Sequence, residues 1–450
     1  MNLDTLKNKK ILLFGKSRAF SKDEFEMQLK AHKIELLQAY DESVDFIIDG
    51  TMMTPLETIE NEKLYEQKVA EFLNIEMVEK LLTQSIDPDV LMMSLKLSSD
   101  TQRLKNFLLN PKINDELYFK LLGMYRWGDD DFYENDDNRD VSASIIKRFY
   151  KNIERNHNVE FSKLGLMHLV LQCENEKVIE TIAYLKPLKK SFNATQKDHG
   201  FRIVTSIATN NCTSNKVLKM LIKESNTYVR TLISMRDFLD KEVQEVLYET
   251  NESKVLESLS YSANISDELY EKLRENDTYA RHMASYIKLD QNKYDFFKDK
   301  FPAELAQNES IHSAMQGELV NNHLSAIKEK LASNKSISHE MILRLLKQKD
   351  PEVDFAIYAN SSTHQDILIQ GYKSVKNHRA LAENENTPAN ILHHLYSSHN
   401  PEILAALAKN VATPTEILYQ LQLDSKYERF VKENPSFGKH IQKENIGWEV

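Results

Sequence analysis

Carboxylates form the densest cluster of potential metal ligands in the sequence, in the segment WGDDDFYENDDNRD at residues 127–140. Carboxylate oxygens are the ligands that Ca²⁺ prefers. A calcium-binding loop also needs a glycine and a closing glutamate at fixed positions, and the spacing of Asp129, Asp131, Asp136 and Asp137 does not provide them. The segment therefore predicts a solvated acidic loop or a partner-docking insertion, and we assign no metal to it.

Three histidines lie close together in HHLYSSH, at positions 393, 394 and 399. Leu392 and Leu395 take the buried positions of the same predicted helix, so both adjacent histidines are expected to point sideways or outward. Neither has an evident metal-binding partner one turn away. The spacing indicates an exposed helix face and not a metal site.

Cys173 and Cys212 are the two cysteines of the chain. Two thiols cannot build a disulfide framework, a four-thiolate zinc site or an iron–sulfur cluster. Neither lies in a recognisable nucleophile motif, and the chain has no glycine-rich loop that could hold a phosphate. The sequence thus predicts no catalytic residue, no cofactor and no metal, which indicates a protein that is not an enzyme.

Two stretches combine basic charge with aromatic residues, as nucleic-acid-binding surfaces do. They are IKRFYKNIERN at 146–156 and LKPLKKSF at 185–192, and the candidate basic patch consists of Lys147, Arg148, Lys189 and Lys190. However, the formal net charge of −10 disfavours non-specific binding to nucleic acid or to an anionic membrane. Short basic runs in an acidic chain are more typical of solvated helix faces.

The composition favours helices. The 450 residues include only 10 glycines and 10 prolines, the residues on which β-turns and flexible linkers depend. No apolar stretch is long enough to cross a membrane, and the apolar run of four residues near the start is too short for a signal peptide. We expect a soluble, cytoplasmic protein.

The second half of the sequence is repetitive. The pattern Leu-Ala-x-Asn-x-x-Thr-Pro-x-x-Ile-Leu begins at Leu381 and again at Leu407. We call its asparagine the frame origin. Origins recur at intervals near 24 and 26 residues, strongly at Asn308, Asn334, Asn360, Asn384, Asn410 and Asn434, more weakly at Asn210, Arg236, Ser262 and Tyr286, and once more at Asn110. Such a unit holds two short helices and must stack on its neighbours to bury its apolar stripe, so the pattern predicts a helical solenoid.

The Thr-Pro pair predicts where a helix of each unit begins. Thr387 and Thr413 are suited to the N-cap, and the following prolines to the first helical position. Glu416 would complete a capping box with Thr413. The repeated asparagines are expected to hydrogen-bond the backbone between helices, because asparagine does this readily, although a ligand-binding ladder is the alternative.

This repeat resembles the leucine-rich repeat variant family, strongly at 381–421 and more loosely from about 205 to 380. The resemblance implies units that alternate an α-helix with a short 3₁₀-type helix in a superhelix. Some members of that family carry an amino-terminal iron–sulfur segment with clustered cysteines, and nothing in this chain matches it.

The apolar residues of the first 82 positions follow a different spacing. KKILLFG at 9–15, IELL at 34–37 and VDFIID at 44–49 read as strands, whereas 21–33 and 61–73 read as amphipathic helices. This order predicts a small α/β domain with a largely parallel sheet.

That order resembles the BRCT domain, with ILLFG as its first strand and glycine, VDFIIDG as its third strand and 63–82 as its closing helices. Phosphopeptide-binding members use a Ser or Thr before the glycine and a Lys on the later helix. Phe14 precedes Gly15 here, so the resemblance leaves Gly15, Lys16, Ser17 and Lys63 as the phosphate-binding candidates. A docking or self-association domain is the other expectation.

The sequence therefore predicts a mainly α protein with three parts: a BRCT-like domain at 1–82, an irregular helical region with degenerate repeats at 83–204, and a solenoid at 205–450. The leading hypothesis is a non-enzymatic scaffold whose solenoid binds a protein partner. The alternative is a nucleic-acid-associated protein, such as a repair or base-modifying factor, because BRCT-like and helical-repeat domains both occur in such proteins.

Overall fold

A computed structural model describes residues 2–128, 132–133, 135–150 and 164–443. The chain is mainly helical and divides into two compact units, an amino-terminal unit at Met1–Ile233 and a carboxyl-terminal unit at Ser234–Val450. None of the helices in these described ranges has the length and apolar composition that crossing a bilayer would require. The domain boundaries expected after residues 82 and 204 stay predictions.

The amino-terminal unit begins with a small parallel sheet and its helices. These elements are α1 Leu3–Leu6, β1 Lys10–Phe14, α2 Lys22–Ala31, β2 Glu35–Leu37, β3 Phe46–Asp49, α3 Pro55–Gln67, β4 Glu71–Asn74 and α4 Ile75–Ser85. The strand order is β2-β1-β3-β4, and all three neighbouring pairs are parallel. The predicted parallel sheet is therefore confirmed. Its central strands β1 and β3 are largely buried apolar runs, with Ile11, Ile47 and Ile48 fully excluded from solvent.

The carboxyl-terminal end predicted for one helix of this region is wrong. The helix expected at 61–73 stops at Gln67, Lys68 takes a left-handed conformation with φ of 50°, and β4 follows at Glu71–Asn74. Phe72 and Leu73 favour a strand here because β4 adds to the sheet beside β3 and buries Leu73. Tertiary pairing thus overrides the helical periodicity of the sequence.

The rest of the amino-terminal unit is helical. Its elements are α5 Pro88–Ser98, α6 Thr101–Leu109, α7 Asp115–Met124, α8 Asp136–Phe149, α9 Gly165–Gln172, α10 Glu176–Ala183, a 3₁₀ helix at Lys186–Ser191, α11 His199–Thr209, α12 Asn215–Glu224 and α13 Thr227–Ser234. Asn110, a predicted origin, follows α6 and is fully buried, and its side-chain oxygen accepts the backbone N–H of Lys112 at 2.8 Å.

The prediction of a loop over 127–140 is wrong for its last five residues, since α8 begins at Asp136. Asp137 and Asp140 lie one turn apart on α8, and both accept hydrogen bonds from Lys105 on α6, at 2.5 and 3.0 Å. The Lys105 side chain is only 7% exposed. The aspartates, whose side chains are 54 and 43% exposed, therefore also compensate a buried cation from the surface. Asp129 and Asp131 lie outside the described residues.

The Lys105 cluster predicts a pH-dependent contribution to stability. Burial alone would lower the pKa of Lys105, but hydrogen bonds to Asp137 and Asp140 outweigh burial and raise it above its ordinary value of 10.5. We expect the double change Asp137→Asn and Asp140→Asn to lower the free energy of unfolding by about 2 kcal/mol at pH 7, because it leaves a buried ammonium without its anions. Since the folded-state pKa is raised, this contribution is present below pH 10.5 and is lost as pH rises through the folded-state value.

Thermal unfolding at pH 7, 9 and 11 checks the prediction. Asp136→Asn is the matched control, because Asp136 lies on the same turn with its side chain 89% exposed. An equal effect of the control and the double variant, or a difference that does not shrink at pH 11, would contradict this role of Lys105.

Within 234–443, the regular secondary structure of the carboxyl-terminal unit consists of helices alone. After the end of α13, its elements are α14 Lys241–Glu249, α15 Ser253–Ser260, α16 Asp267–Leu273, α17 Asp277–Tyr286, α18 Gln291–Phe297, α19 Pro302–Leu305, α20 Ser313–Val320, α21 Ser325–Ser333, α22 His339–Leu346, α23 Pro351–Ala359, α24 Gln365–Gly371, a 3₁₀ helix at Val375–Asn377, α25 His378–Glu383, α26 Ala389–Tyr396, α27 Pro401–Lys409, α28 Thr415–Gln422, α29 Glu428–Lys432 and α30 Pro435–Lys443. The odd-numbered helices from α15 to α29 pack each on the next odd-numbered one.

The repeated asparagines join successive units of this frame. Each lies just after an odd-numbered helix, buried, and its side-chain amide donates to backbone carbonyls of the preceding unit. The Asn384 amide, for example, donates to the carbonyls of Tyr358 and Asn360 at 2.8 and 2.7 Å. Its side-chain oxygen accepts the N–H of Asn386 at 2.8 Å. The other strong origins repeat this arrangement, at Asn308, Asn334, Asn360, Asn410 and Asn434. The expected backbone-binding role is confirmed.

The Thr-Pro pair has a different role from the predicted one. The N-cap of α26 is Pro388 and that of α28 is Pro414, so each helix begins one residue later than expected. Thr387 and Thr413 instead donate their hydroxyls to the carbonyls of Leu381 and Leu407, both at 2.7 Å. The buried threonine thus fastens the turn to the end of the preceding helix, and the capping box expected for Glu416 does not form.

Two buried glutamines add bridges that the sequence reasoning missed. Gln316 on α20 donates to the carbonyls of Ile311 and Ser336, both at 2.9 Å, and accepts the N–H of Ser338. Gln244 on α14 does the same with the carbonyls of Leu239 and Asn264 and the N–H of Ser266. The signal was present in the sequence, because glutamine stands where later units carry an apolar residue of the Ile-Leu pair.

Candidate protein-binding surface

The phosphate-binding candidates are engaged by carboxylates of the protein. Gly15, with φ of 73°, donates its N–H to Glu57 at 3.2 Å. The Ser17 hydroxyl donates to Oε1 of Glu79 at 2.8 Å. Lys16 pairs through its backbone with Thr51, and Lys63 is exposed on α3 without a recorded contact to Gly15. Gly15 and Ser17 therefore donate to two different carboxylates of the protein.

Glu79 takes the place that an anion would need. Its Oε1 also accepts the N–H groups of Arg18 and Ala19, at 2.7 and 3.1 Å, and the residue is only 2% exposed. Successive N–H groups with a hydroxyl are a typical anion-binding arrangement. Because a buried carboxylate already fills it, a phosphate would have to displace Glu79, and we do not propose a phosphate site here.

The basic candidates are on separate elements. Arg148 on α8 donates to Asp115 at 2.9 Å and to the carbonyl of Ile113, and its guanidinium lies 4.8 Å from the ring centroid of Tyr118. Lys147 is exposed and has a contact of its own. Lys189 and Lys190 are exposed on the 3₁₀ helix, which packs on α11. Arg148 therefore has a structural role, and residues 151–156 of this stretch lie outside the described residues.

The histidine and cysteine candidates form no metal cluster within the described ranges. His393 and His394 are exposed on α26 beside buried Leu392 and Leu395, as predicted. Cys173 and Cys212 form no disulfide within the described residues, and the side chain of Asn210 contacts the backbone of each. Asn210 therefore acts here as the later frame origins do.

Exposed apolar side chains converge at the start of the carboxyl-terminal unit. Met235, Phe238, Tyr261 and Tyr286 are 67, 78, 44 and 53% exposed. Together with His282 we call them the aromatic surface. Large rings with so much exposed area are typical of protein-binding sites, where Tyr, Phe and Met are enriched.

Three of these side chains lie at or directly before successive frame origins. Met235 and Tyr261 directly precede the origins Arg236 and Ser262, and Tyr286 is itself the next predicted origin. Tyr286 is the last residue of α17, and its ring meets that of Tyr261. The position before the origin carries Gln307, Ser333, Ala359, Glu383 and Lys409 in later units. Those units therefore do not continue the apolar column.

Hydrogen bonds fix the rings at the centre of the surface. The His282 ring stacks on Tyr261, with centroids 4.2 Å apart, and Tyr286 meets Tyr261 edge-on at 5.5 Å. Nδ1 of His282 lies 2.9 Å from the Ser260 hydroxyl, and Nε2 lies 3.0 Å from the Tyr261 hydroxyl. With the Ser260 hydroxyl donating to the carbonyl of Glu257, the neutral tautomer that satisfies both contacts carries its proton on Nδ1 and accepts from Tyr261 at Nε2.

This arrangement does not provide an activated nucleophile. Ser260 is fully buried, and its proton is directed to a backbone carbonyl instead of to histidine. A Ser–His pair in catalysis needs the reverse polarity, with the imidazole accepting the hydroxyl proton. The hydrogen bonds instead hold Tyr261 and His282 in place, which reduces the entropy that a ligand must overcome on binding.

A cavity of about 630 Å³ opens beside Tyr261. Its walls include Phe238, Tyr261, Ser258, Ser262 and Asp237. The Ser258 hydroxyl and the Asp237 carboxylate have no recorded partner among the described residues. The surface thus combines apolar rings, hydroxyl groups and one uncompensated negative charge around a concave space, which is the composition of a binding site.

The sequence contained a signal for this surface, because large apolar residues lie at or directly before three successive origins. We compared the chain with protein-family models, curated proteins and solved structures, and none of them matches it.

Proposed function

We propose that the protein is a non-enzymatic scaffold that binds a protein partner through the aromatic surface. In this proposal the helical units stack as a solenoid of the leucine-rich-repeat-variant type, and the amino-terminal α/β region is a BRCT-like docking or self-association module. The regular packing of odd-numbered helices and the row of asparagine bridges support the stacking.

The observation that carries the proposal is the column of Met235, Tyr261 and Tyr286. Side chains at the same or adjacent frame positions of successive repeats line one face of a solenoid, and such faces are where repeat proteins bind partners. Stacking does not need these residues, because they are 44 to 67% exposed. The nucleic-acid alternative gains no comparable support, since Arg148 is engaged by Asp115 and Tyr118.

Affinity capture with the full chain as bait tests the proposal. We expect protein partners that survive nuclease treatment and are lost when Met235, Tyr261 and Tyr286 are all changed to Ser, because removing central aromatic anchors typically costs a large part of the binding energy. Leu423→Ser is the matched control, because Leu423 is 83% exposed and lies far along the same unit in sequence. Partners retained by the triple variant, or lost with nuclease, would contradict the proposal.

A further inference from the structure

We propose that the occupant of the aromatic surface is an extended, proline-containing segment of the partner protein that carries a Lys or Arg beside its prolines. This inference rests on the proposed function and specifies the chemistry of its partner. It follows from three properties of the surface: its rings, its hydrogen-bonding groups and its charge.

The rings suit a polyproline II helix. Neighbouring packed helices lie about 8–10 Å apart, and a polyproline II helix repeats every three residues with a rise of about 3.1 Å per residue, or about 9.3 Å per turn. Successive turns of such a segment can therefore follow successive units of the frame. Grooves lined by Tyr and Phe are the usual sites for these segments. The cavity between Phe238 and Tyr261 would take one proline, and the outer face of the Tyr261–Tyr286 pair would support the next turn.

The hydrogen-bonding groups suit a backbone without internal hydrogen bonds. A polyproline II segment leaves its carbonyls open, so it needs donors from its receptor. The Ser258 hydroxyl has no recorded partner within the described residues. The Ser262 oxygen accepts the N–H of Asn264 at 3.2 Å, which leaves its proton free to donate. Both hydroxyls lie on the cavity wall. An α-helical ligand has satisfied carbonyls and would not use them.

The negative charge of the surface indicates which residue should lie beside the prolines of the ligand. Asp237 is exposed on the cavity wall, and Glu257 is exposed one turn before Tyr261 on α15. Neither carboxylate has a recorded ion pair in the parts of the chain that the structure describes, whereas Arg236, the cation of this wall, has a contact of its own. A ligand with a Lys or Arg would place its cation near Asp237 and beside aromatic faces, which also attract cations.

Fluorescence anisotropy with synthetic peptides and the full-length protein tests this inference. The probes are labelled dodecapeptides with proline at every third position and one Arg or Lys, the same peptides with each proline replaced by Ala, and an amphipathic helical peptide of equal length. We expect the proline peptides to bind and their alanine counterparts to bind at least about tenfold more weakly, because they must lose more conformational entropy.

Variants localise the binding. We expect Tyr261→Ala to weaken it at least about tenfold and Tyr261→Phe to preserve it, because the ring makes the contact. Asp237→Asn should weaken the cationic peptides several-fold and leave an uncharged proline peptide unchanged. Leu423→Ser should have no effect, and circular dichroism shows whether each variant is folded.

The inference is wrong if no proline peptide binds at about 1 mM, if the alanine peptides bind equally well, if the helical peptide binds better, or if Tyr261→Phe binds as poorly as Tyr261→Ala. Concentration-dependent dimerisation that Tyr261→Ala abolishes would also overturn it, since a second copy would then occupy the surface. Any of these results could occur while lysate partners still depend on Met235, Tyr261 and Tyr286. In that case the proposed function would stand, and only the proline-containing ligand would be excluded.

Discussion

Replacing Asn384 by alanine should lower the free energy of unfolding by about 2–4 kcal/mol, because three backbone groups around this buried side chain each lose a hydrogen bond. The carbonyls of Tyr358 and Asn360 lose a donor, and the N–H of Asn386 loses an acceptor. Asn384 is fully buried, so water does not replace these bonds without opening the junction between the two units. Asn384→Asp should be worse, since a carboxylate would face two carbonyl oxygens.

Hydrogen exchange measured by mass spectrometry checks this prediction locally, alongside denaturant unfolding. The local reading is needed because a chain of two units and many repeats need not unfold in one step. We expect faster exchange around Asn386 and little change in the amino-terminal unit. Asn390→Ala is the matched control, because Asn390 is exposed on α26 and has no recorded hydrogen bond. Similar exchange in the two variants would show that the asparagine bridge contributes little.

Glu79→Ala should lower the free energy of unfolding of the α/β region by about 3 kcal/mol or more. The Ser17 hydroxyl and the N–H groups of Arg18 and Ala19 all donate to one oxygen of this buried carboxylate. Hydrogen bonds to a charged group contribute about 1.5–3 kcal/mol each and are not additive. Glu79→Gln keeps the accepting oxygen and should cost roughly 1 kcal/mol, which separates the geometry from the charge.

Limited trypsin digestion provides a direct reading, because Lys16 and Arg18 are trypsin sites in the segment that Glu79 holds. We expect Glu79→Ala to be cleaved there much faster than the native chain. Glu76→Ala is the control on the same helix, since its carboxylate is 72% exposed and 3.9 Å from Lys112. Slow cleavage of Glu79→Ala would mean that the segment is held by other contacts.

The parts of the fold that follow from local pattern could be predicted from the sequence. The strand at Lys10–Phe14, the helix after the Ser21 cap and the buried asparagines each depend on nearby residues or on a repeated spacing. By contrast, β4 depends on pairing with β3, and Asp137 and Asp140 depend on a lysine more than 30 residues earlier. Such long-range partners leave no local periodicity in the sequence.

The partners of the predicted binding-site residues could not be read from the sequence for a related reason. Ser17 and Gly15 have suitable residue types for phosphate, but only the folded chain shows that Glu79 and Glu57 already occupy their donors. Arg148 likewise has a suitable charge but faces Asp115. The aromatic surface is different, because its apolar residues lie at or directly before successive frame origins and were visible in the sequence once exposed and buried positions were separated.

The asparagine bridges have a mechanical consequence for the units from Asn308 to Asn434. Each bridge ties one unit to the next at the same edge, just after an odd-numbered helix, and this is the one hydrogen-bond arrangement that all six origins share. Other bonds, such as that of Gln316, join single pairs of units, and an apolar core fills much of the remaining contact from Leu368 onward. Directional bonds resist separation over tenths of an ångström, but apolar contacts can slide with little loss of buried area. Under a bending or stretching load, we expect neighbouring units to separate first at the edge opposite the asparagines. The asparagine edge should stay joined and act as the hinge.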